Sequence, residues 1–176
     1  MLIKKNLILV CLSLFLITVV SAQTSKYIGA DKCKLCHNKP TKGEQYNKWK
    51  DNVHAHALES LSSQKSLDIA KKLGIADPTT DAKCVKCHST YHMADAKLLG
   101  GIKATEGVSC ESCHGPGSNF KSPTIMKNRK LAMASGLIIP TKEVCVGCHN
   151  SESPTFKSFD YEASLAKIAH PDPSKK

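Results

Sequence analysis

The sequence predicts a mostly α-helical protein, a single compact domain with long loops and little or no β structure. No run of residues alternates between apolar and polar over the length of a strand. Helix-capping residues, apolar residues at helical spacing and terminating glycines or prolines instead recur along the chain. Four Cys-x-x-Cys-His sequences add four expected helical turns, since their two thiols are three positions apart.

Two helices are predicted in the first half of the chain, outside these motifs. Thr41-Lys42-Gly43-Glu44 has the pattern of a capping box, in which the outer side chains cap the first turn of a helix. The segment that follows has an apolar stripe at helical spacing, formed by Tyr46, Trp49, Val53 and Ala57. Ser62 or Ser63 is predicted to cap a second helix that runs up to Gly74. Thr80 is expected to cap the helical turn of the second motif.

The second half of the chain is predicted to contain two more helices. One starts at Pro123 or Thr124 and continues to Ser135, just before a glycine. Asp160 is expected to cap the last helix, which must stop at the residue before Pro171, because a proline disfavours helical backbone in its predecessor.

The Cys-x-x-Cys-His motif is the attachment signature of c-type haem. Two thiols on one helical turn reach the two vinyl groups on one edge of a porphyrin, and the next His supplies the proximal iron ligand. Four copies therefore predict four covalently bound haem c groups. The predicted attachment residues are Cys33, Cys36, Cys84, Cys87, Cys110, Cys113, Cys145 and Cys148. The predicted proximal ligands are His37, His88, His114 and His149.

Zinc ribbons and a disulfide framework are the alternatives for these cysteines. Neither gives a reason for a His directly after every second Cys. With 8 His in 176 residues, chance places a His at one given position roughly one time in twenty, so four such positions are a coincidence of about one in a hundred thousand. The motifs therefore favour haem.

Residues 1–22 have the pattern of a cleaved secretion signal. Lys4 and Lys5 form a basic start, Leu7 to Val20 an apolar stretch, and Val20-Ser21-Ala22 a small-residue cleavage site. The apolar stretch has about 14 residues, short of the roughly 20 that span a bilayer, so an uncleaved anchor is the weaker alternative. The ninth cysteine, Cys11, would leave with the signal. We expect export to the periplasm, because c-type haem is attached outside the cytoplasmic membrane.

Residues 23–176 are predicted to form one domain that holds all four haems. Each haem is served by only about 38 residues, too few for four separate cores. Aromatic residues are 5% of the chain, so porphyrin faces would supply part of the apolar interior. The domain is therefore expected to pack its haems close to one another.

The formal charge of +10 falls to about +8 without the signal. Each ferric haem with two ionised propionates carries about −1, so the oxidised protein is expected to carry about +4. No nucleic-acid-binding motif accompanies this charge, and no stable membrane span is expected. The expected partners are redox proteins, onto whose acidic surfaces lysines could steer the chain.

Four histidines lie outside the motifs, at positions 54, 56, 92 and 170. The segments Tyr27–Leu61 and Gly107–Phe120, with Cys-Val-Gly-Cys-His-Asn and the later Lys-Ile-Ala-His-Pro, resemble the cytochrome c-554 family of tetrahaem cytochromes. Together they extend over most of residues 27–171.

The resemblance implies distal iron ligands on the other face of some haems. His54 matches the family's ligand in a His-Ala-x-Ala setting after Trp49, and His170 matches the ligand in Lys-Ile-Ala-His-Pro. His92 follows the second motif where the family often has a ligand. The family pattern also implies three haems with two His ligands and one with an open sixth position.

His56 competes with His54 in this assignment. In one unbroken helix, His56 lies near the Trp49 stripe and His54 points roughly 160° away from Trp49. A break at Asp51-Asn52, with Asn52 capping a new helix, would free His54 to face a haem. Both residues therefore remain candidate ligands.

Electron transport between redox proteins is the function that these features favour. A reductase of nitric oxide, nitrite or hydroxylamine is the alternative, and it needs an open iron site and positioned proton donors. No set of such donors stands out in the sequence. We therefore expect an electron carrier rather than an enzyme.

Overall fold

The structure is a computed structural model that describes residues 24–173. Within these residues the chain forms ten short α-helices and no strand, which confirms the mostly α prediction. One isolated parallel bridge joins Tyr27 to Leu99. The predicted signal segment, with Lys4, Lys5 and Cys11, lies outside the described residues.

The helices carry the four motifs in order along the chain. They are α1 (Ala30–His37), α2 (Gln45–Lys50), α3 (Gln64–Lys72), α4 (Ala82–His88), α5 (Thr90–Met93), α6 (Cys110–His114), α7 (Pro123–Met126), α8 (Arg129–Ala134), α9 (Lys142–Val146) and α10 (Tyr161–Ile168). The motifs lie on α1, α4, α6 and α9. The fourth motif extends beyond α9, but the backbone N–H of His149 still donates to Cys145 O at 3.0 Å, so the helical turn continues.

Two predicted caps are present. The Ser63 side chain accepts a hydrogen bond from Ser66 N at the start of α3. The Asp160 side chain accepts one from Ala163 N at the start of α10. In both helices the cap satisfies a backbone N–H of the first turn that has no partner within the helix. The last helix ends at Ile168, earlier than predicted, and Ala169 is extended with ψ 132°.

The predicted capping box does not form. Glu44, not Thr41, precedes α2, and its backbone is left-handed with φ 50°, so its side chain does not cap the helix. The reason is the preceding turn: residues Pro40–Lys42 form a 3₁₀ helix, and Gly43 closes it with φ 94°. Helix α2 then ends at Lys50, and turns replace the predicted continuation of the apolar stripe.

Two further helix boundaries differ from the prediction. The second motif is capped by Asp81, whose side chain accepts from Lys83 N, rather than by Thr80. The predicted helix from Pro123 to Ser135 is two helices, because Asn128 interrupts it. Its side chain accepts a hydrogen bond from Leu131 N and begins α8. Asn competes with helical backbone through such local bonds, so it favours a cap over a helix interior.

The apolar core of the described residues is small. Its members are Ile28, Ala30, Leu61, Ala70, Ile75, Val85, Ile102, Phe120 and Ala132. Only one of them is aromatic, so most of the interior is not filled by large side chains. Within residues 24–173, no helix has both the length and the apolar character needed to cross a bilayer.

Candidate haem sites

The first and third motifs are joined through a buried glutamate. Glu111, inside the third motif, is 2% exposed. Its carboxylate accepts hydrogen bonds from three backbone N–H groups, those of Ile28 at 3.0 Å, Gly29 at 2.7 Å and Gly117 at 2.6 Å. A second carboxylate, that of Glu106, accepts from Ala30 N at 3.1 Å. These bonds hold the start of α1 against α6.

This clamp brings cysteines of different motifs together. The side chains of Cys33 and Cys110 are hydrogen-bonded to each other, and the pKa of the Cys110 thiol is raised by this bond and by burial. The contact joins the attachment residues of the first and third motifs, which are far apart in sequence.

The second motif is fixed to the third by a buried threonine. Thr90, at the start of α5, is fully buried. Its backbone N–H donates to Gly107 O at 3.0 Å, and its hydroxyl accepts from Ser109 N at 2.7 Å. Ser109 in turn caps α6 by accepting from Glu111 N. The segment after the second motif therefore supports the first turn of the third.

The second and fourth motifs also meet. The side chains of Cys87 and Cys148 are hydrogen-bonded, and burial together with this neighbour raises the pKa of Cys148 to about 12. Lys86 and Glu152 form an ion pair at 2.5 Å beside them. Burial raises the pKa of the Cys113 thiol, and the charge of the Cys145 thiolate adds to the rise.

His54 faces the His of the fourth motif. The ring centroids of His54 and His149 are 6.0 Å apart, with the rings at 69°. The Phe159 ring stacks on the His149 ring at 4.8 Å and 14°. His54 is held by its backbone, since its carbonyl accepts from Val108 N at 2.9 Å. Val108 O in turn accepts from Trp49 Nε1 at 2.9 Å.

His170 faces the His of the third motif. The ring centroids of His114 and His170 are 6.1 Å apart, with the rings at 72°. His170 Nδ1 bonds Ile168 O at 2.8 Å, which fixes its ring at the end of α10. His114 Nδ1 bonds Ile138 O at 3.1 Å. In both residues the other ring nitrogen, Nε2, remains available to bind a metal ion.

These two ring pairs fit a shared iron. A His nitrogen binds a metal at about 2 Å, so two His rings on opposite sides of one ion have centroids roughly 6 Å apart. A bond from Nδ1 to a carbonyl is the usual way to orient a metal-binding His. The same arrangement holds His88, whose Nδ1 bonds Ala57 O at 2.7 Å.

The surroundings of two of these rings lower their pKa and so favour the neutral imidazole. Burial, and then the neighbouring His149, lowers the pKa of His54. Burial also lowers the pKa of His114, with His170 and His37 adding to the effect against the Ile138 bond. A neutral imidazole is the form that binds a metal ion, so these environments favour ligation.

His56 is placed differently. It is exposed, and both its ring nitrogens are hydrogen-bonded, Nδ1 to Glu59 Oε2 at 3.2 Å and Nε2 to Lys50 O at 3.0 Å. His92 is also exposed, and its ring packs edge-on against Tyr91 at 5.1 Å. Neither residue is paired with a motif His among the ring contacts of residues 24–173.

The cysteines are available for attachment. All eight motif cysteines are free thiols. Within the described part of the chain, no group of three or more His, Cys, Asp or Glu side chains has the arrangement of a metal-ion site.

Sequence reasoning missed Glu111 and Gly107. A Cβ at Gly107 would lie 2.5 Å from Ala55 O and 2.8 Å from His54 O, so only glycine allows this close approach. The sequence shows a Glu inside the third motif, but no local pattern predicts that its carboxylate accepts hydrogen bonds from the backbone of residues 28 and 29.

Comparisons with known proteins identify the family of the chain. The family model described as "Cytochrome c554 and c-prime" matches residues 32–115. Cytochrome c-554 from Nitrosomonas europaea is 32% identical over 167 aligned residues, which cover 81% of this chain and 67% of that protein. The chain belongs to the cytochrome c-554 family. Members of this family are c-type cytochromes, so the chain is an electron carrier with covalently bound haem c.

No solved structure matches the chain. The cytochrome c-554 assignment therefore rests on sequence similarity, and the resemblance stated from the motifs is confirmed by it.

Proposed function

We propose that the protein is a periplasmic tetrahaem cytochrome that relays electrons between redox partner proteins through closely packed haems. One observation carries the proposal: side-chain contacts between segments link all four motifs into one series. Glu111 of the third motif binds the backbone at the start of the first, Thr90 joins the segment after the second motif to the third, and Lys86 of the second motif pairs with Glu152 just after the fourth. The order of the series is first, third, second and fourth motif.

The attachment cysteines mark one edge of each porphyrin, because the thioether bonds form at two vinyl groups on that edge. The Cys33–Cys110 and Cys87–Cys148 contacts therefore bring together the edges of the first and third haems and of the second and fourth. Together with the Thr90 contact between the second and third motifs, this gives a continuous route in which each site has a near neighbour. Haem iron supplies one-electron chemistry when bound, and the chain supplies attachment, ligation and order.

The proposed ligands follow from the ring pairs. His149 and His54 would hold the iron of the fourth motif, and His114 and His170 that of the third. His37 and His88 would be the proximal ligands of the other two motifs. An iron with a His ligand on each face of the haem needs little rearrangement when its oxidation state changes, which suits electron relay. His56 is not proposed as a ligand, because both its nitrogens are bonded elsewhere.

Periplasmic location is proposed from the signal-like pattern of residues 1–22 and from the chemistry of haem c. Expression with a haem-attachment system, fractionation of the cells and N-terminal sequencing test it. Mature protein that begins at Gln23 in the periplasmic fraction is the expected result. Protein that keeps residues 1–22 in the membrane fraction would contradict it.

The tetrahaem relay is tested by mass and by kinetics. The intact mass should exceed that of the peptide by four haem groups, and acid acetone should not extract them. Stopped-flow mixing with a one-electron donor should reduce all four irons. Fewer than four haems, or steady reduction of nitrite or hydroxylamine at about ten turnovers per second or more, would contradict the proposal.

A further inference from the structure

Within residues 24–173, the net positive charge is concentrated in one segment. Residues 112–142 contain five basic residues and no acidic one. The rest of the described chain, residues 24–111 and 143–173, contains sixteen basic and fifteen acidic residues and is therefore almost neutral. The segment includes α7 and α8. Its basic residues are Lys121, Lys127, Arg129, Lys130 and Lys142.

The three central cations of this segment are free to meet a partner. Lys127, Arg129 and Lys130 are exposed. None of them takes part in an ion pair within residues 24–173, where four other lysines each pair with a carboxylate. Cations without neighbouring carboxylates project an uncompensated positive potential, which attracts an acidic surface from a distance.

Helix α8 also exposes apolar side chains beside these cations. Leu131 is 49% exposed and Met133 is 48% exposed, whereas Ala132 between them is fully buried. Ala132 is therefore the buried residue of α8, and the other side chains of this helix are exposed. Exposed apolar side chains within a ring of charges are typical of protein-interaction sites. We call Lys127, Arg129, Lys130, Leu131 and Met133 the α8 surface.

The α8 surface is connected directly to the third motif. The backbone N–H of Leu137 donates to Ala132 O at 2.9 Å, which folds the chain back at the end of α8. The next residue, Ile138, donates its N–H to His114 O at 2.9 Å and accepts from His114 Nδ1 at 3.1 Å. A partner bound to α8 would therefore be close to the His114 site.

We propose that the α8 surface binds the acidic docking face of a redox partner protein and is the place where electrons enter or leave at the third motif. The inference rests on the proposed electron-relay function. Each encounter removes one electron from the reduced partner and reduces one ferric iron. Charge steers the partner onto α8, and Leu131 and Met133 form the contact that excludes water.

The test uses the complete holoprotein and fully reduced flavodoxin, an acidic electron-donor protein, as the probe. In the variant Lys127→Glu/Arg129→Glu/Lys130→Glu, the second-order rate constant of haem reduction should fall at least about tenfold at low salt. The difference should largely disappear at about 1 M salt, where charges are screened over roughly 3 Å. The haem spectrum and potentials should match those of the parent.

The matched control is a variant with the same change in net charge on another exposed helix. Helix α3 provides it with Lys65→Glu/Lys71→Glu/Lys72→Glu. This variant should lose no more than about threefold in rate, because its cations lie in a part of the chain that also carries acidic residues. Equal losses in the two variants would show that net charge alone matters and would overturn the proposal.

The same variants distinguish other binding partners of the α8 surface. Sedimentation with phosphatidylserine vesicles tests whether this surface binds an anionic membrane. Loss of vesicle binding in the α8 variant with an unchanged flavodoxin rate would overturn the proposal in favour of a membrane. A shifted haem potential with an unchanged rate would assign the cations to haem propionates instead. Parent protein that fails to accept electrons at all would overturn the relay function itself.

The apolar part of the α8 surface has a separate readout. Leu131→Ser/Met133→Ser should lower the rate constant about threefold or more at every salt concentration, because it removes a contact and not a charge. An unchanged rate would remove these two side chains from the docking site.

Discussion

The imidazole rings of His114 and His170 face each other with their centroids 6.1 Å apart. His114 belongs to the third motif, and His170 follows α10 near the end of the described chain. The spacing leaves room for one metal ion between two ring nitrogens. This spacing is the basis for proposing His170 as an iron ligand.

The first prediction concerns His170. The variant His170→Ala should leave one more iron with an open sixth position than the parent has, because the ring opposite His114 is lost. Carbon monoxide bound per reduced protein should rise by one, and a high-spin signal should appear in the oxidised spectrum. An unchanged stoichiometry would remove His170 from the ligands.

The second prediction separates His54 from His56. His54→Ala should also add one site for carbon monoxide, because His54 faces His149 at 6.0 Å. His56→Ala should add none, because its ring nitrogens bond Glu59 and Lys50 O. The two variants are matched in residue type and position, so a gain in the His56 variant alone would reverse the assignment.

The third prediction concerns the approach of Gly107 to the backbone of His54. Gly107→Ala should displace residues 54 and 55, because the new Cβ would lie 2.5 Å from Ala55 O. The variant should show partial high-spin character at the iron that His54→Ala opens. Gly74→Ala, outside the haem motifs, is the control, since no atom lies within 4 Å of its new Cβ. Resonance Raman spectra that match the parent would refute the displacement.

The fourth prediction is that Glu111→Ala lowers the free energy of unfolding by about 2–4 kcal/mol, because three buried backbone N–H groups lose their acceptor. Those groups belong to Ile28, Gly29 and Gly117. The exposed Glu162→Ala is the control and should change stability by about 0.5 kcal/mol or less. Denaturant titrations of the two holoproteins make the comparison, and equal midpoints would contradict the clamp.

The fifth prediction concerns the pH dependence of stability. Burial raises the pKa of Glu111 above 4.5, although the backbone N–H bonds oppose the shift and Glu106 adds to it. Glu111 therefore adds to the free energy of unfolding at a pH below its pKa in the unfolded chain. This contribution is lost as the pH rises through its higher pKa in the folded protein. The stability of the parent relative to Glu111→Gln should therefore be greater at pH 4 than at pH 7.

The difference between parent and Glu111→Gln cancels the titration of the other carboxylates. Chemical denaturation at intervals between pH 4 and pH 7 measures it. A difference that grows toward pH 7 would mean that the hydrogen bonds outweigh burial and lower the pKa of Glu111.

Local features of the structure were accessible from the sequence. The Ser63 and Asp160 caps act on backbone N–H groups within three residues of themselves, so neighbouring residues are enough to predict them. The break at Asn128 has the same local cause, but the helical spacing around it concealed it. The capping box at Thr41 failed because Gly43 turns the chain before the helix can begin.

The sequence by itself determined the haem chemistry, because each motif keeps two thiols and one imidazole within five consecutive residues. That spacing fixes the attachment geometry whatever the rest of the chain does. Tertiary structure decided which histidines face one another and which motifs are neighbours. Those relationships depend on contacts between distant segments, such as Glu111 with Gly29 and Gly107 with His54. Local spacing carries no information about them, because burial and packing bring these residues together only in the folded chain.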